Sequence, residues 1–252
     1  MTNLQLVTLA ERPELFDAAH LMSQAVWPNF MLQDDISMPI WRDVTARFPQ
    51  CQFALLDGDH IAVYGNSLLL TWNGTVGGLP DQGWDGAVLR SMVDHDAGRP
   101  PDALCGLSIT VTRGYRGPGL GEMGIRAMKQ IARRCGVTHY IHPVRPSQKS
   151  QYPLIPIASY ARWTRPDGLP FDPWLRAHVR LGGQILGVEP ESITVTGTVA
   201  NWEQWIGMAL PETGAYIVPG GTTPVQIDRE KDTGIYYESH VWIRHAPAAG
   251  SG

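Results

Sequence analysis

The chain has 252 residues, of which 43% are hydrophobic and 17% are charged. This length and balance fit one large domain or two small ones with a substantial buried core, and they exclude wholesale disorder. No apolar run approaches the roughly 18 residues of a membrane span, and the N-terminus shows no secretory signal. We therefore expect a cytoplasmic protein that does not bind membranes.

The spacing of the cysteines and the distribution of charge indicate which kinds of ligand the protein binds. Cys51, Cys105 and Cys135 lack CxxC spacing, so the sequence predicts neither a disulfide framework nor a metal site. The net charge of -4 argues against nucleic acid as a partner. Eight basic residues and one acidic residue lie between Arg113 and Lys149, whereas acidic residues dominate elsewhere. This pattern favours a discrete polyanionic ligand, and a solvated basic helix face is the alternative.

Hydrophobic spacing predicts an opening strand, two helices and a hairpin in the first third of the chain. The strand covers 4–9, a helix starts at Pro13, and a second short helix covers 38–48. Strands over 51–56 and 60–72 flank the turn signal Asp57-Gly58-Asp59. The Gly-, Pro- and Asp-rich stretch 73–84 is predicted as a loop, and 84–93 as a helix.

The middle of the chain has the clearest pattern. An apolar strand over 103–112 leads into a glycine-rich turn that runs through Gly121. Residues 122–135 show helical periodicity with the basic side chains away from the apolar side, and Gly136 is a natural helix C-cap. A strand over 138–144 follows. The unit is therefore strand, tight turn, helix and strand.

The last hundred residues predict shorter elements in an elaboration of the same domain. We expect helices over 157–163, 173–181 and 202–208, and strands over 184–188, 193–199, 216–218, 223–227 and 235–243. No repeat or linker divides the chain. We predict a single domain over 1–245, with a core over 1–190, a C-terminal elaboration over 191–245 and a disordered tail over 246–252.

The segment Tyr115-Arg116-Gly117-Pro118-Gly119-Leu120-Gly121 has the chemistry of a pyrophosphate site. A helix N-terminus presents converging backbone N–H groups and a favourable dipole, and glycines let the backbone approach the anion closely. Arg116 would add a fixed positive charge. The dinucleotide pattern GxGxxG is nearly present from Gly119 to Gly124, but no acidic residue follows about 20 positions later. A purely structural glycine turn is the other alternative.

These residues resemble the signature of the GNAT (GCN5-related N-acetyltransferase) superfamily, in which Arg116, Gly119 and Gly121 would take the three defining positions. The order of elements is similar too. The resemblance implies an α/β fold whose mixed central sheet splays between the fourth and fifth strands. It is specific for 103–144 and only topological for 4–70. After Val144 the chain departs from the family's Asn-x-x-Ala-x-x-x-Tyr segment.

The resemblance also implies a cosubstrate and a reaction. Acetyl-CoA or another acyl-CoA would bind, and its acyl group would pass directly to the amine of a small molecule. Pantetheine would pair like an extra strand with the backbone of Ile109, Thr110 and Val111. The residues implied to bind the pyrophosphate are Arg116, Gly117, Pro118, Gly119, Leu120, Gly121 and Glu122.

Amine acetylation needs a proton acceptor for the amine and a proton donor for the departing thiolate. Many family members use a glutamate on the fourth strand, but no acidic residue lies within 103–112. His142 on the fifth strand is the predicted base. Tyr152 is the predicted acid, because it takes the family tyrosine position if Arg145 aligns with the asparagine; Tyr160 is the alternative. Each of these side chains could instead serve packing alone.

Two other functions stay open. GNAT-like domains of polyketide loading modules decarboxylate malonyl thioesters or move acyl groups to a carrier-protein thiol, and rely on Thr and His. Ser108, Thr110 and His142 would suit that chemistry, so a carrier protein is an alternative acceptor. The third function is a non-catalytic CoA-binding module. Several of the nine tryptophans lie in the C-terminal half and could build an apolar acceptor or acyl pocket, and core or interface packing is the alternative. A homodimer stays open.

The pyrophosphate assignment predicts that Arg116→Ala and Gly119→Val each weaken acyl-CoA binding without unfolding the protein. Loss of a charge-assisted phosphate contact costs on the order of 1.5–3 kcal/mol, and a valine would obstruct the anion site. Calorimetry with coenzyme A measures this, with thermal unfolding as the control for folding. Unchanged affinity in both variants would refute the coenzyme assignment.

Overall fold

The computed structural model describes residues 4–115 and 119–246. Within them the strands form one mixed sheet in the order β1-β2-β3-β4-β5-β9-β8-β7, with β6 also paired to β9. The strands are β1 (Gln5–Thr8), β2 (Phe53–Asp57), β3 (His60–Leu70), β4 (Ala103–Val111), β5 (His139–Val144), β6 (Gln184–Gly197), β7 (Gly214–Tyr216), β8 (Val225–Asp228) and β9 (Thr233–His245).

Seven helices accompany the sheet in the described residues. They are α1 (Phe16–Gln24), α2 (Trp41–Arg47), α3 (Gly83–Asp96), α4 (Leu120–Arg134), α5 (Ile157–Tyr160), α6 (Pro173–Arg180) and α7 (Val199–Ile206). Short 3-10 turns precede α1 and α2, and another covers Asn29–Gln33. None of the described helices is long and apolar enough to cross a membrane.

The two faces of the sheet carry different helices. A Cβ on Gly106 would lie 2.5 Å from the Met128 sulfur, and one on Gly124 would lie 2.4 Å from Ile109, so α4 packs closely on one face. Side chains alternate along a strand, and Ser108, the neighbour of Ile109, shares a cleft on the opposite face with residues of α1, α2 and α3. The sheet thus separates the glycine-turn helix from that cleft.

The long strand β9 joins the C-terminal third to the rest. Its residues 241–245 pair with β5, residues 233–235 pair with β8, and β6 pairs along 234–244. The strands of the predicted elaboration therefore continue the same sheet. A buried polar cluster supports this junction: Arg145 Nε lies 2.9 Å from a carboxylate oxygen of Glu238, and Thr222 donates to the same oxygen.

The structure confirms the predicted helices and strands with shifted bounds, but the prediction for the β6 region was wrong. Two strands were expected over 184–188 and 193–199, but one strand spans both and is irregular between Glu189 and Ile193. Pro190 has no backbone N–H to donate to the neighbouring strand. On either side of this irregularity β6 pairs with the same strand, β9. The helix expected over 202–208 begins at Val199, because Thr198 and Asn201 form a capping box at its start.

Candidate active site

The central feature of the site is the place where β4 and β5 part. Their parallel pairing comprises Ala103–His139, Leu104–Tyr140 and Cys105–Ile141 and then ends. Beyond Cys105, β4 continues to pair with β3 on its other edge, and β5 continues to pair with β9. This is the splayed sheet that the resemblance to the GNAT superfamily implies. It leaves one edge of β4 unpaired within the described residues.

A bulge in β4 lies directly beyond this point. Asn66 pairs with Ser108 and Ser67 pairs with Gly106, so Leu107 is the extra residue. The carbonyl oxygen of Leu107 accepts a hydrogen bond from the Trp84 indole at 3.3 Å. The bulge therefore turns this carbonyl away from the β ladder and toward α3.

The predicted pantetheine residues lie along this parted edge. Ile109, Thr110 and Val111 pair through β3 with Gly65, Tyr64 and Val63. Because β5 has already diverged, their other backbone edge is open to an added strand. Their position agrees with the predicted role, which stays a prediction.

The glycine turn leads into α4 as the sequence predicts. Gly119 has φ +97, a left-handed conformation that favours glycine, and α4 begins at Leu120. A Cβ on Gly121 would lie 2.9 Å from the Trp174 ring of α6. Leu120, Gly121 and Glu122 form the first turn, where backbone N–H groups are available to an anion. Arg116, Gly117 and Pro118 lie outside the described residues.

His142 lies on β5 at the first position after the pairing ends, as predicted. Its ring is buried, its Nδ1 is 3.2 Å from the Tyr140 hydroxyl, and its ring centroid is 5.3 Å from that of His178. Burial lowers the pKa of His142 to about 3, aided by nearby His245 and opposed by a backbone hydrogen bond with Leu107. At neutral pH the imidazole is therefore uncharged.

Tyr152 lies in a different environment from His142. Its ring packs 5.0 Å from Trp163, 5.8 Å from Tyr160 and 6.0 Å from Phe171. The alternative tyrosine, Tyr160, donates its hydroxyl to Asp172 at 2.9 Å. The structure thus places Tyr152 in an aromatic cluster with Tyr160, Trp163 and Phe171, and its role as an acid stays a prediction.

A cleft of about 680 Å³, counted with its open mouth, lies on the face of the sheet opposite α4. Its floor at β3 and β4 is formed by Tyr64, Asn66 and Ser108. Its walls include the aromatic side chains of Trp41 and Trp84, whose rings stack with a centroid distance of 5.5 Å and an interplanar angle of 15°. The other lining residues are Phe16, His20, Ser23, Gln24, Trp27, Met31, Leu32, Asp34, Ser37, Met38 and Ile193.

Two buried carboxyl groups accompany this cleft. Asp34 lines it and accepts hydrogen bonds from the backbone of Ile36 and Ser37 and from the Ser37 hydroxyl. Asp85, next to the lining residue Trp84, accepts the Thr194 N–H at 3.0 Å through Oδ2. Burial raises the pKa of Asp85 to about 8, with a further contribution from the Asp34 charge.

Some buried polar atoms of the cleft lining, and one of the adjacent Asp85, lack hydrogen-bond partners within residues 4–115 and 119–246. Asn66 donates through Nδ2 to Ser108 Oγ at 2.8 Å, but its Oδ1 accepts no hydrogen bond. The Oδ1 of Asp85 and the hydroxyl of Ser23 are also unpaired. The sequence did not identify Asp34, Asn66 or Asp85 as site residues. No motif marks them, because they come from separate segments that only the fold brings together.

Comparison with known proteins supports an acyltransferase of the N-acetyltransferase class. The arginine N-acetyltransferase avaD of Aspergillus versicolor is 30% identical to this chain, over an alignment that covers 95% of this chain and 93% of that protein. The chain belongs to the GNAT superfamily. It is an acyl-CoA-dependent acyltransferase, so the family, the reaction class and the acyl-CoA cosubstrate predicted from the sequence are confirmed.

Solved structures show the same fold. The loading GNATL domain of CurA from Lyngbya majuscula matches 97% of this chain and 96% of its own, with a TM-score of 0.57 and 19% identity. The GphF GNAT-like decarboxylase in complex with isobutyryl-CoA matches 97% of this chain and 100% of its own, with a TM-score of 0.58 and 17% identity. No protein-family model matches the chain.

The environment of Asp85 predicts a pH-dependent effect on stability. Its pKa is about 8 in the folded state against an ordinary value of 3.8, so between these pH values the folded state holds a proton that the unfolded state has lost. The stability contributed by this group is therefore complete below pH 4 and declines as pH rises toward 8, by up to about 1.4 kcal/mol per pH unit.

Asp85→Asn removes this decline because asparagine does not ionise. We expect the variant to gain stability relative to the original protein at pH 7.5 but not at pH 4.5, as measured by urea unfolding at both pH values. Asp35→Asn is the matched control, since the Asp35 side chain is exposed. A stability difference for Asp85→Asn that is the same at both pH values would contradict the buried, protonated carboxyl.

Proposed function

We propose that the protein transfers an acetyl or related acyl group from acyl-CoA directly to the amine of a small molecule bound in the cleft. One observation carries the proposal: the floor of the cleft is formed by Asn66 and Ser108 at the stretch of β4 where β5 has parted. The acceptor in the cleft and the thioester of the coenzyme can therefore meet at one segment of β4. Because the relative avaD is an arginine N-acetyltransferase, arginine is the first acceptor to test.

In this proposal the coenzyme approaches from the α4 side of the parted strands. Its pyrophosphate lies on residues 116–122, at the N-terminus of α4, where unpaired N–H groups and the helix dipole favour an anion. Its pantetheine follows the open edge of Ile109, Thr110 and Val111. The thioester then reaches the bulge at Leu107, next to the floor of the cleft.

The reaction requires two proton movements. The amine nitrogen attacks the thioester carbon and loses a proton, and the coenzyme sulfur leaves as a thiolate that gains one. We keep His142 as the predicted acceptor and Tyr152 as the predicted donor. A pKa of about 3 makes His142 a weak base at neutral pH, so this role requires that bound substrates raise its pKa.

A second candidate function is decarboxylation or S-acyl transfer on thioesters. The observation in its favour is that β4 carries no carboxylate near the opening, whereas the Ser108 hydroxyl and the His142 ring lie on the two parted strands. The carrier-protein acceptor, the homodimer, the cytoplasmic location and the division into core and elaboration also stay predictions.

Mass spectrometry and thiol release separate these functions. The protein is incubated with acetyl-CoA and arginine, and we expect coenzyme A and singly acetylated arginine in equal amounts. Incubation with malonyl-CoA alone tests the second candidate, which would yield acetyl-CoA and carbon dioxide. Coenzyme A binding without turnover of any amine or thioester would instead identify a binding module.

Substitution at the two predicted proton-transfer residues tests their roles. His142→Ala and Tyr152→Phe are each expected to lower kcat by roughly 10²–10⁴-fold, which is the usual contribution of a general acid or base. Acyl-CoA affinity should stay unchanged. His139→Ala is the matched control, because His139 lies on the same strand but packs against Trp72. Falls in kcat of less than threefold in both variants would show that neither residue moves a proton.

A further inference from the structure

Two of the three cysteines meet at a place away from the candidate active site. The sulfur atoms of Cys51 and Cys135 lie 3.8 Å apart, although the residues are 84 positions apart along the chain. Cys51 ends the 3-10 turn Pro49–Cys51 that leads into β2, and Cys135 follows the last residue of α4. Neither cysteine lines the cleft or belongs to the glycine turn. The proposed acyl transfer therefore does not use this pair.

The backbone on both sides of the pair is held by hydrogen bonds. The Cys51 N–H donates to the Phe48 carbonyl at 3.0 Å, and the Cys51 carbonyl accepts from the Ser67 hydroxyl at 2.6 Å. The Cys135 N–H donates to the Ile131 carbonyl at 2.9 Å and so completes the last turn of the helix. The contact between the two sulfurs thus belongs to the packing of α4 against the turn before β2.

The two thiols differ in access to solvent and in acidity. Cys51 is fully buried, whereas Cys135 is partly exposed. The hydrogen bond from the Cys51 thiol lowers the pKa of Cys135, against the effect of burial, and the same contact together with burial raises the pKa of Cys51. Because the thiolate is the nucleophilic form of cysteine, the accessible member of the pair is also the more reactive one.

The position of the pair allows a bond to form with little movement. Bonded sulfurs are about 2.05 Å apart, so these two have to approach by roughly 2 Å. Both residues lie at the ends of their elements, and the chain leaves α4 directly after Cys135 at Gly136, where φ is +71. Rotation of the side chains and a small shift at these two ends close the gap without rearranging the sheet.

We propose that Cys51 and Cys135 are a redox-sensitive pair that forms a reversible disulfide in the presence of a peroxide, with Cys135 reacting first and Cys51 resolving the product. The Cys135 thiolate attacks a peroxide oxygen, the O–O bond breaks, and the released hydroxide takes a proton to become water. The Cys51 sulfur then attacks the sulfenic acid on Cys135, and its own proton leaves with the hydroxyl as a second water. Two thiols and one hydrogen peroxide give one disulfide and two waters.

Cys105 provides a comparison within the same chain. It is fully buried like Cys51, burial raises the pKa of its thiol, and its sulfur contacts the Gly106 carbonyl at 3.8 Å instead of another thiol. Burial alone predicts that Cys51 and Cys105 are equally unreactive. A resolving role predicts that Cys51 loses its thiol on oxidation while Cys105 keeps it.

The first test uses the original protein. It is treated with hydrogen peroxide, the remaining thiols are alkylated after unfolding, and the products are analysed by intact mass and by peptide mapping without reductant. We expect the mass before alkylation to fall by two hydrogen atoms, one peptide pair to be joined through Cys51 and Cys135, and dithiothreitol to reverse both changes. Cys105 should react roughly tenfold or more slowly than the pair.

The second test removes one sulfur at a time by substitution with alanine, which adds no polar group to the core. Cys51→Ala should leave a sulfenic acid on Cys135 that dimedone traps and that excess peroxide oxidises further. Cys135→Ala should leave Cys51 as a free thiol, because no accessible partner is present. Cys105→Ala is the matched control and should form the disulfide as the original protein does. Thermal unfolding checks that each variant is folded.

Several results with the original protein would overturn the inference even if a variant failed to fold. Oxygen added to Cys135 without a joined peptide pair would show that Cys51 does not resolve the product, and a disulfide between two molecules would show a different reaction. Oxidation of Cys105 as fast as that of Cys135 would remove the selectivity. So would intact thiols at a peroxide concentration that oxidises free glutathione. None of these results bears on acyl transfer.

Discussion

Parallel pairing between β4 and β5 lasts for three residue pairs, and the arrangement of the site depends on its ending there. Beyond Cys105 the two strands have different partners, β3 for one and β9 for the other. Two neighbouring groups stabilise the parted conformation, because the Trp84 indole donates to the Leu107 carbonyl and the His142 ring forms a backbone hydrogen bond with the same residue. One backbone edge of β4 is thereby left without a strand partner in the described residues, and we propose that the coenzyme binds there.

Two groups of buried polar side chains lie near this opening, and they differ in how well they are satisfied. The Glu238 carboxylate is paired with Arg145 and also accepts from Thr222 and Tyr236, so it stabilises the junction of β5, β9 and the C-terminal segment. Asn66 and Asp85 retain unpaired acceptors. Satisfied buried groups hold a fold together, whereas unsatisfied ones beside a cleft indicate a ligand.

The C-terminal segment contributes to the cleft in two ways. Arg145, which is anchored to Glu238 of β9, packs on the ring of Trp27 in the cleft wall. Ser192 of β6 accepts the backbone N–H of Trp84 at 2.8 Å, and Ile193 lines the cleft itself. The C-terminal segment therefore helps to shape the cleft in which we propose that the acceptor binds. The glycine turn before α4, where we propose that the coenzyme binds, lies on the other side of the sheet.

The sequence by itself determined the elements whose signal is local. Alternation predicted the strands, the glycine-rich stretch predicted a tight turn before α4, and the resemblance of Arg116 to Gly121 to the family signature predicted the family and its cosubstrate. The cleft was decided by the tertiary structure, because Phe16, Asp34, Asn66, Trp84, Ser108 and Ile193 come together only when β4, β6 and α3 have packed. The pKa of Asp85 was decided there too, since burial and the Asp34 charge arise from contacts between distant segments. Neighbouring residues in the chain fix local conformation, whereas burial and charge at a site depend on segments that no local pattern pairs.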